Sequence, residues 1–186
     1  MLIATWLLRT IRLALALGIA LLAMQAPAIT REYQAALLQL VRSSDQEIAQ
    51  RKTSAQRFYR ISPTEDESRF LAQLRTVEPS NAETLAASVE RAHSLHGSYE
   101  EIEQAPQLVR PIIAAKDIAG DEGGARRQII RTVFDRFVPQ LDLSFAAVVY
   151  GLAGLFVGSL IGELLTAALL PRRRLAGGVA VGRRVE

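Results

Sequence analysis

Glu163 is the one charged residue in an apolar run of 28 residues, 143–170. A charge at the centre of a bilayer costs at least about 2.5–3.5 kcal/mol on insertion scales, so a carboxylate there asks for a partner. Arg12 borders a second apolar run, residues 13–24, which holds no polar side chain. Glu163 lies toward the C-terminal end of its run and Arg12 at the N-terminal end of its own. If those ends share one side of a membrane, the two charges reach matched depth, and an intramembrane ion pair is expected. The alternative is a Glu163 that snorkels alone to the interface. A proton relay is disfavoured, because no second acid or histidine accompanies Glu163.

Gly154, Gly158 and Gly162 recur every fourth residue in the same run, with Gly151 and Ser159 close to their line. On a helix this register makes one smooth face where another backbone can come close. It predicts a packing surface for the first run, a second copy or a partner. The bland alternative is that glycine is common in membrane helices.

Other residues with chemical potential fall short of a site. His93 and His96 are spaced to approach one metal, with Glu90 or Glu100 a turn away, but no HExxH pattern is present. They read as solvated or core histidines. Asp121-Glu122-Gly123-Gly124 lacks both the GK[ST] ending of a phosphate loop and the oxygen ladder of a calcium loop, and reads as a hinge. There is no cysteine, which excludes disulfides and thiolate zinc sites. No serine or threonine has an evident base partner. No catalytic residue, cofactor or metal ligand is assigned.

The elements that must position Arg12, Glu163 and the glycines are the apolar runs. Residues 143–170 would reach about 42 Å as a helix at ~1.5 Å per residue, against a hydrocarbon core of about 30 Å. Pro171 stops that run, and Arg172, Arg173 and Arg174 follow at once. The first run extends over residues 11–29 with only Arg12 and Gln25 interrupting, and Arg9 precedes it. An uncleaved anchor is expected. A cleaved signal peptide is the alternative, given the short uninterrupted stretch and Ala26-Pro27-Ala28. Arg9, Arg12, Arg172, Arg173 and Arg174 set the topology by the positive-inside rule, with both termini cytoplasmic and residues 30–142 periplasmic. The tail 172–186, with five arginines against one glutamate, favours anionic lipid headgroups at about 1 kcal/mol per charge.

Residues 30–142 carry 15 basic and 17 acidic side chains, so the excess of positive charge belongs to the ends. That distribution argues for membrane orientation and against nucleic-acid binding. The periodicity is helical throughout. Ile29, Tyr33, Leu37, Leu40, Val41 and Ile48 form a stripe, weakened over residues 42–47 and resumed by Ala55, Phe58 and Ile61, which predicts one helix over 30–60. Ser62-Pro63-Thr64-Glu65 predicts a stop and a capped restart, with Phe70, Leu71, Leu74 and Val77 inward. Ser80 and Glu83 predict a second capping box, opening a helix with Leu85, Val89, Ala92, Leu95 or His96, Tyr99 and Ile102 on one side. Pro106 and Pro111 limit it. A last helix over 125–137 carries Ile129, Ile130, Val133, Phe134 and Phe137. Glu47/Arg51, Glu65/Arg69 and Arg131/Asp135 have ion-pair spacing. The expected fold is all-α: an anchor over 1–29, a periplasmic helical hairpin or small bundle over 30–142, a span over 143–171 and a basic tail over 172–186.

Gln25-Ala26-Pro27-Ala28-Ile29 leading into Tyr33-Gln34 resembles the corresponding stretch of a proteobacterial two-span inner-membrane family described as a domain of unknown function. Phe137-Val138-Pro139-Gln140-Leu141-Asp142-Leu143 and Tyr150-Gly151-Leu152-Ala153-Gly154 are similar to it as well. The resemblance covers about half of the chain, and residues 61–124 carry no close match. It implies two membrane helices around a periplasmic helical domain and an uncleaved anchor, and brings no activity or ligand. The expected role is a non-enzymatic scaffold or accessory subunit that contacts another membrane protein or itself. A periplasmic ligand-sensing module is one alternative, although the short tail holds no output domain. An enzyme of the membrane interface is another, with no acid/base pair or metal set to support it.

Overall fold

The computed structural model describes residues 2–61, 66–121, 124–139 and 144–169. Among them the regular elements are helices, in the order α1 (Leu2–Met24), α2 (Ala26–Tyr59), α3 (Glu67–Val77), α4 (Pro79–Gln104), α5 (Arg110–Ala119), α6 (Ala125–Arg136) and α7 (Phe145–Leu169). The all-α class expected from the periodicity is the one observed, with no strand among the described residues. Ser62, Pro63, Thr64 and Glu65, Glu122 and Gly123, and the arginine-rich tail lie outside the described residues, and with them the first capping box, the Glu65/Arg69 pair and the tail's reading.

The chain forms two compact units. Among the described residues, 2–23 and 150–169 make one, and those within 24–149 the other. Two helical segments are long and apolar enough to cross a membrane, within Trp6–Tyr59 and Phe145–Ala167. Between α1 and α2 the backbone of Gln25 keeps helical angles. Pro27, in the first turn of α2, has no N–H to extend the ladder, which accounts for the break there.

In the second unit α2 and α4 run antiparallel. The C-terminal end of α2 and the N-terminal end of α4 share one apolar cluster with α3: Ile48 and Ala55, Ile61, Phe70 and Leu74, and Ala82, Leu85, Val89 and Ala92. Their other ends share a second cluster: Tyr33, Leu37 and Val41 face Leu95 and Ile102, with Ala114 of α5. Ile113 and Ile118 of α5 and Ile129 and Ile130 of α6 lean on it. The polar stretch of α2 lies between the clusters. Full burial of a Leu or Phe is worth about 1.5–3 kcal/mol, so these clusters are what hold the helices together.

Several local expectations need correction. α3 starts at Glu67, where the Asp66 carboxylate accepts from the backbone N–H of Ser68 at 3.0 Å and Arg69 at 3.2 Å. These donors, with the Ser68 hydroxyl foremost, hold that carboxyl below the usual carboxylate range. Ser80 does not cap α4. Pro79 is already its first residue, and the side chain of Glu78, at the N-cap, makes no capping hydrogen bond. The α5 helix was not expected at all. Pro111 stands in its first turn, where a missing N–H costs nothing. Arg110 folds back to donate to the carbonyls of Ala105 at 2.9 Å and Glu103 at 2.7 Å, satisfying the open end of α4. Phe58, Val77 and Phe134, all read as inward, are exposed.

Candidate functional site

The glycine register sits on the α1 face of α7. A Cβ added to Gly154 would lie 2.7 Å from the Ala23 Cβ, 2.9 Å from the Ile19 carbonyl oxygen and 3.0 Å from the Ala20 Cα. At Gly158 it would meet the Ala16 Cα at 2.8 Å and the Ala16 carbonyl oxygen at 3.1 Å. At Gly162 it would meet the Arg12 Cγ at 2.7 Å. As α7 advances from 154 to 162, its partners on α1 retreat from 23 to 12, so the two helices are antiparallel. Ala16 and Ala20 of α1 are buried, as are Gly151, Gly154, Gly158 and Gly162 of α7. The small residues let the backbones meet, and Leu13, Leu22, Leu152 and Phe156 point outward and exposed.

At one end of this seam the Arg12 guanidinium donates to the Glu163 carboxylate. The Arg12 side chain reaches it over the bare backbone of Gly162, whose absent Cβ is what leaves room. Arg9 is exposed, one turn before Arg12 on α1. Arg172, Arg173 and Arg174 lie outside the described residues.

The helical domain holds a buried polar node that the sequence did not disclose. The Tyr33 hydroxyl donates to one Asp117 oxygen at 2.8 Å, and the Ser98 hydroxyl donates to the other at 2.8 Å. The Arg126 Nε stands 3.2 Å from that second oxygen, with both side chains largely buried. The same guanidinium donates to the Ser94 hydroxyl at 2.8 Å. One carboxylate thus ties together α2, α4, α5 and α6. Burial, then the hydrogen bond and charge of Asp117, push the Tyr33 hydroxyl far above the ordinary tyrosine range.

Asp121 corrects the reading of its segment as a plain hinge. It is buried, and its carboxylate accepts from the backbone N–H groups of Arg126 at 2.9 Å and Arg127 at 3.1 Å, capping α6. Gly124 precedes α6 at φ +75°, a conformation glycine adopts without the penalty other residues meet.

His93 and His96 face different carboxylates. The His96 Nε2 lies 3.1 Å from Asp45 across α2 and α4, and the His93 Nε2 lies 3.8 Å from Glu67, which also binds Lys52. Together they edge an open cleft of about 270 Å³. No three metal-ligating side chains converge among the described residues. The predicted Glu47/Arg51 pair is formed at 2.5 Å, whereas Arg131 and Asp135 make no ion pair among the described residues.

No match was found among curated proteins or solved structures. A family model described as "Protein of unknown function (DUF2937)" matches residues 7–175. That stretch takes in both apolar helices and the domain between them, residues 61–124 included. The chain belongs to this family of proteins of unknown function.

Proposed function

We propose that the chain is an integral protein of a bacterial inner membrane, with α1 and α7 as its spans. Both termini are then cytoplasmic and the domain of α2 to α6 periplasmic. The observation that carries this reading is the antiparallel pairing of α1 and α7 along the glycine seam. Such a pair returns the end of α7 to the side from which α1 starts. Arg9 and Arg12 then share a side with Arg172, Arg173 and Arg174, and positive residues favour the cytoplasmic side. The outward side chains of both helices are those that lipid accepts, and a helix satisfies its own backbone within the bilayer. The bond between Arg12 and Glu163 offsets part of the cost of placing either charge there. Helical backbone through Gln25 and a family match beginning at residue 7 support an anchor that is retained.

In this reading the domain is a non-enzymatic scaffold or accessory subunit. The buried carboxylate of Asp117 holds helices together through Tyr33 and Arg126. Its partner is another membrane protein or a second copy, reached through the periplasmic helices or the free faces of the spans. The basic tail adds an attraction to anionic headgroups. The test is the mass of the full-length protein extracted from its native membrane in mild detergent. A defined complex or oligomer supports the scaffold role, and a monodisperse monomer at every protein concentration contradicts it.

A further inference from the structure

The α6 helix contributes no fully buried side chain. Ile129 and Ile130 lean on the cluster around Tyr33 and Leu37, and the flank of the helix next to Ile130 carries exposed side chains. Arg127, Arg131 and Phe134 follow at i, i+4 and i+7, a spacing that puts them on one face. All three are exposed, Phe134 by 57%. Val138, just past the helix end, is exposed by 68%. That flank carries two arginines beside a phenylalanine, and an exposed valine follows the helix in the chain.

Covalent connection supplies the occupant. Only nine residue steps separate Arg136, the end of α6, from Phe145, the start of α7. At about 3.3–3.6 Å per residue even a fully extended link spans roughly 30 Å, so α6 cannot stray far from the first turn of that span. A helix with arginines and an aromatic on its outer face, tethered so close to a bilayer, has the features of an interfacial helix. Guanidinium forks bind phosphate oxygens in pairs, and their long stems lie along apolar surface.

We propose that the outer face of α6 rests on the membrane surface. Arg127 and Arg131 hold lipid phosphates, and Phe134 with Val138 enters the boundary between headgroups and acyl chains. This inference rests on the reading that α7 crosses the bilayer, and the experiment separates the two.

The chain has no native cysteine, so single cysteines report without interference. Full-length F134C, V138C, F58C and L160C carry an environment-sensitive fluorophore in vesicles of equal parts phosphatidylcholine and phosphatidylglycerol. Quenching by brominated lipid is compared with quenching by aqueous iodide. The expected result is lipid quenching at 134 and 138 several-fold above that at 58. Adding R127Q and R131Q lowers the lipid quenching at 134 and leaves 160 unchanged. Iodide quenching at 134 equal to that at 58 overturns the proposal. So does shielding of 134 from both quenchers, which would place a protein face there. If 160 itself escapes lipid quenching, the spanning reading fails, and this inference falls with it.

Discussion

The Arg12 side chain crosses the bare backbone of Gly162 to bind Glu163, the next residue of α7. The glycine register and the ion pair are therefore one structural device. Residues that act through a shared contact are not independent, so their substitutions should not add. E163Q and R12Q, singly and together, should show coupling beyond the ~0.5 kcal/mol that separated sites allow. Thermal unfolding of the detergent-solubilised full chain measures this. Strict additivity would mean that the two charges are held separately.

The seam predicts a ranking among the glycines. At Gly158 an added Cβ meets the α1 backbone, which cannot step aside, whereas at Gly162 it meets the flexible stem of Arg12. Nothing lies within 4 Å of the corresponding point at Gly18. G158A should lower stability by about 1–3 kcal/mol, the usual cost of overpacking. G162A should cost less, and G18A should stay within about 0.5 kcal/mol. Equal effects at 158 and 18 would contradict the pairing of α1 with α7.

In the domain, the raised pKa of Tyr33 makes stability depend on alkaline pH. The folded state keeps the hydroxyl proton after the unfolded chain has released it. The contribution is therefore complete below pH about 10 and is lost as pH rises from there toward the folded pKa. Y33F should abolish that slope. It should also cost about 1–3 kcal/mol at neutral pH, because one Asp117 oxygen is left without its donor. Absorbance titration checks the first point: Tyr33 should ionise last of the four tyrosines. Ionisation of all four together near the ordinary value would contradict the buried node.

Two aromatic positions separate contact from pattern. Phe70 is buried in the cluster that α3 shares with α2 and α4, and F70A should cost about 3–5 kcal/mol. Phe58 belongs by spacing to the α2 stripe of Tyr33, Leu37 and Ile48 yet is 81% exposed, so F58A should fall within about 0.5 kcal/mol. Chemical denaturation of the two variants decides, and comparable losses would show that α2 is covered along its whole length.

That contrast marks how far the sequence reaches. Apolar runs and helical periodicity announce the two apolar helices, the helices α2 and α4 and the face on which Leu37, Val41, Phe70 and Leu85 lie. Periodicity gives a direction, however, and not whether another helix stands there, which is why Phe58, Val77 and Phe134 read as inward. Prolines mislead in α5 because Pro111 ends one pattern and also begins the next. The register of Gly154, Gly158 and Gly162 was legible, but Ala16 and Ala20 were not, since small residues in an apolar helix carry no distinguishing pattern. The Tyr33–Asp117 bond joins residues 84 apart in sequence, and no spacing rule links them. Its one advance sign was a tyrosine in an apolar stripe, whose hydroxyl must find an acceptor once buried.

The most direct test of the account is the accessibility of two single cysteines in intact spheroplasts. H96C reports the domain and R183C the tail. With the chain resistant to carbonate extraction, a membrane-impermeant maleimide should label position 96 in intact spheroplasts and position 183 only after permeabilisation. Release of the chain into the carbonate supernatant, or labelling of position 183 before permeabilisation, would contradict two antiparallel spans with both ends inside.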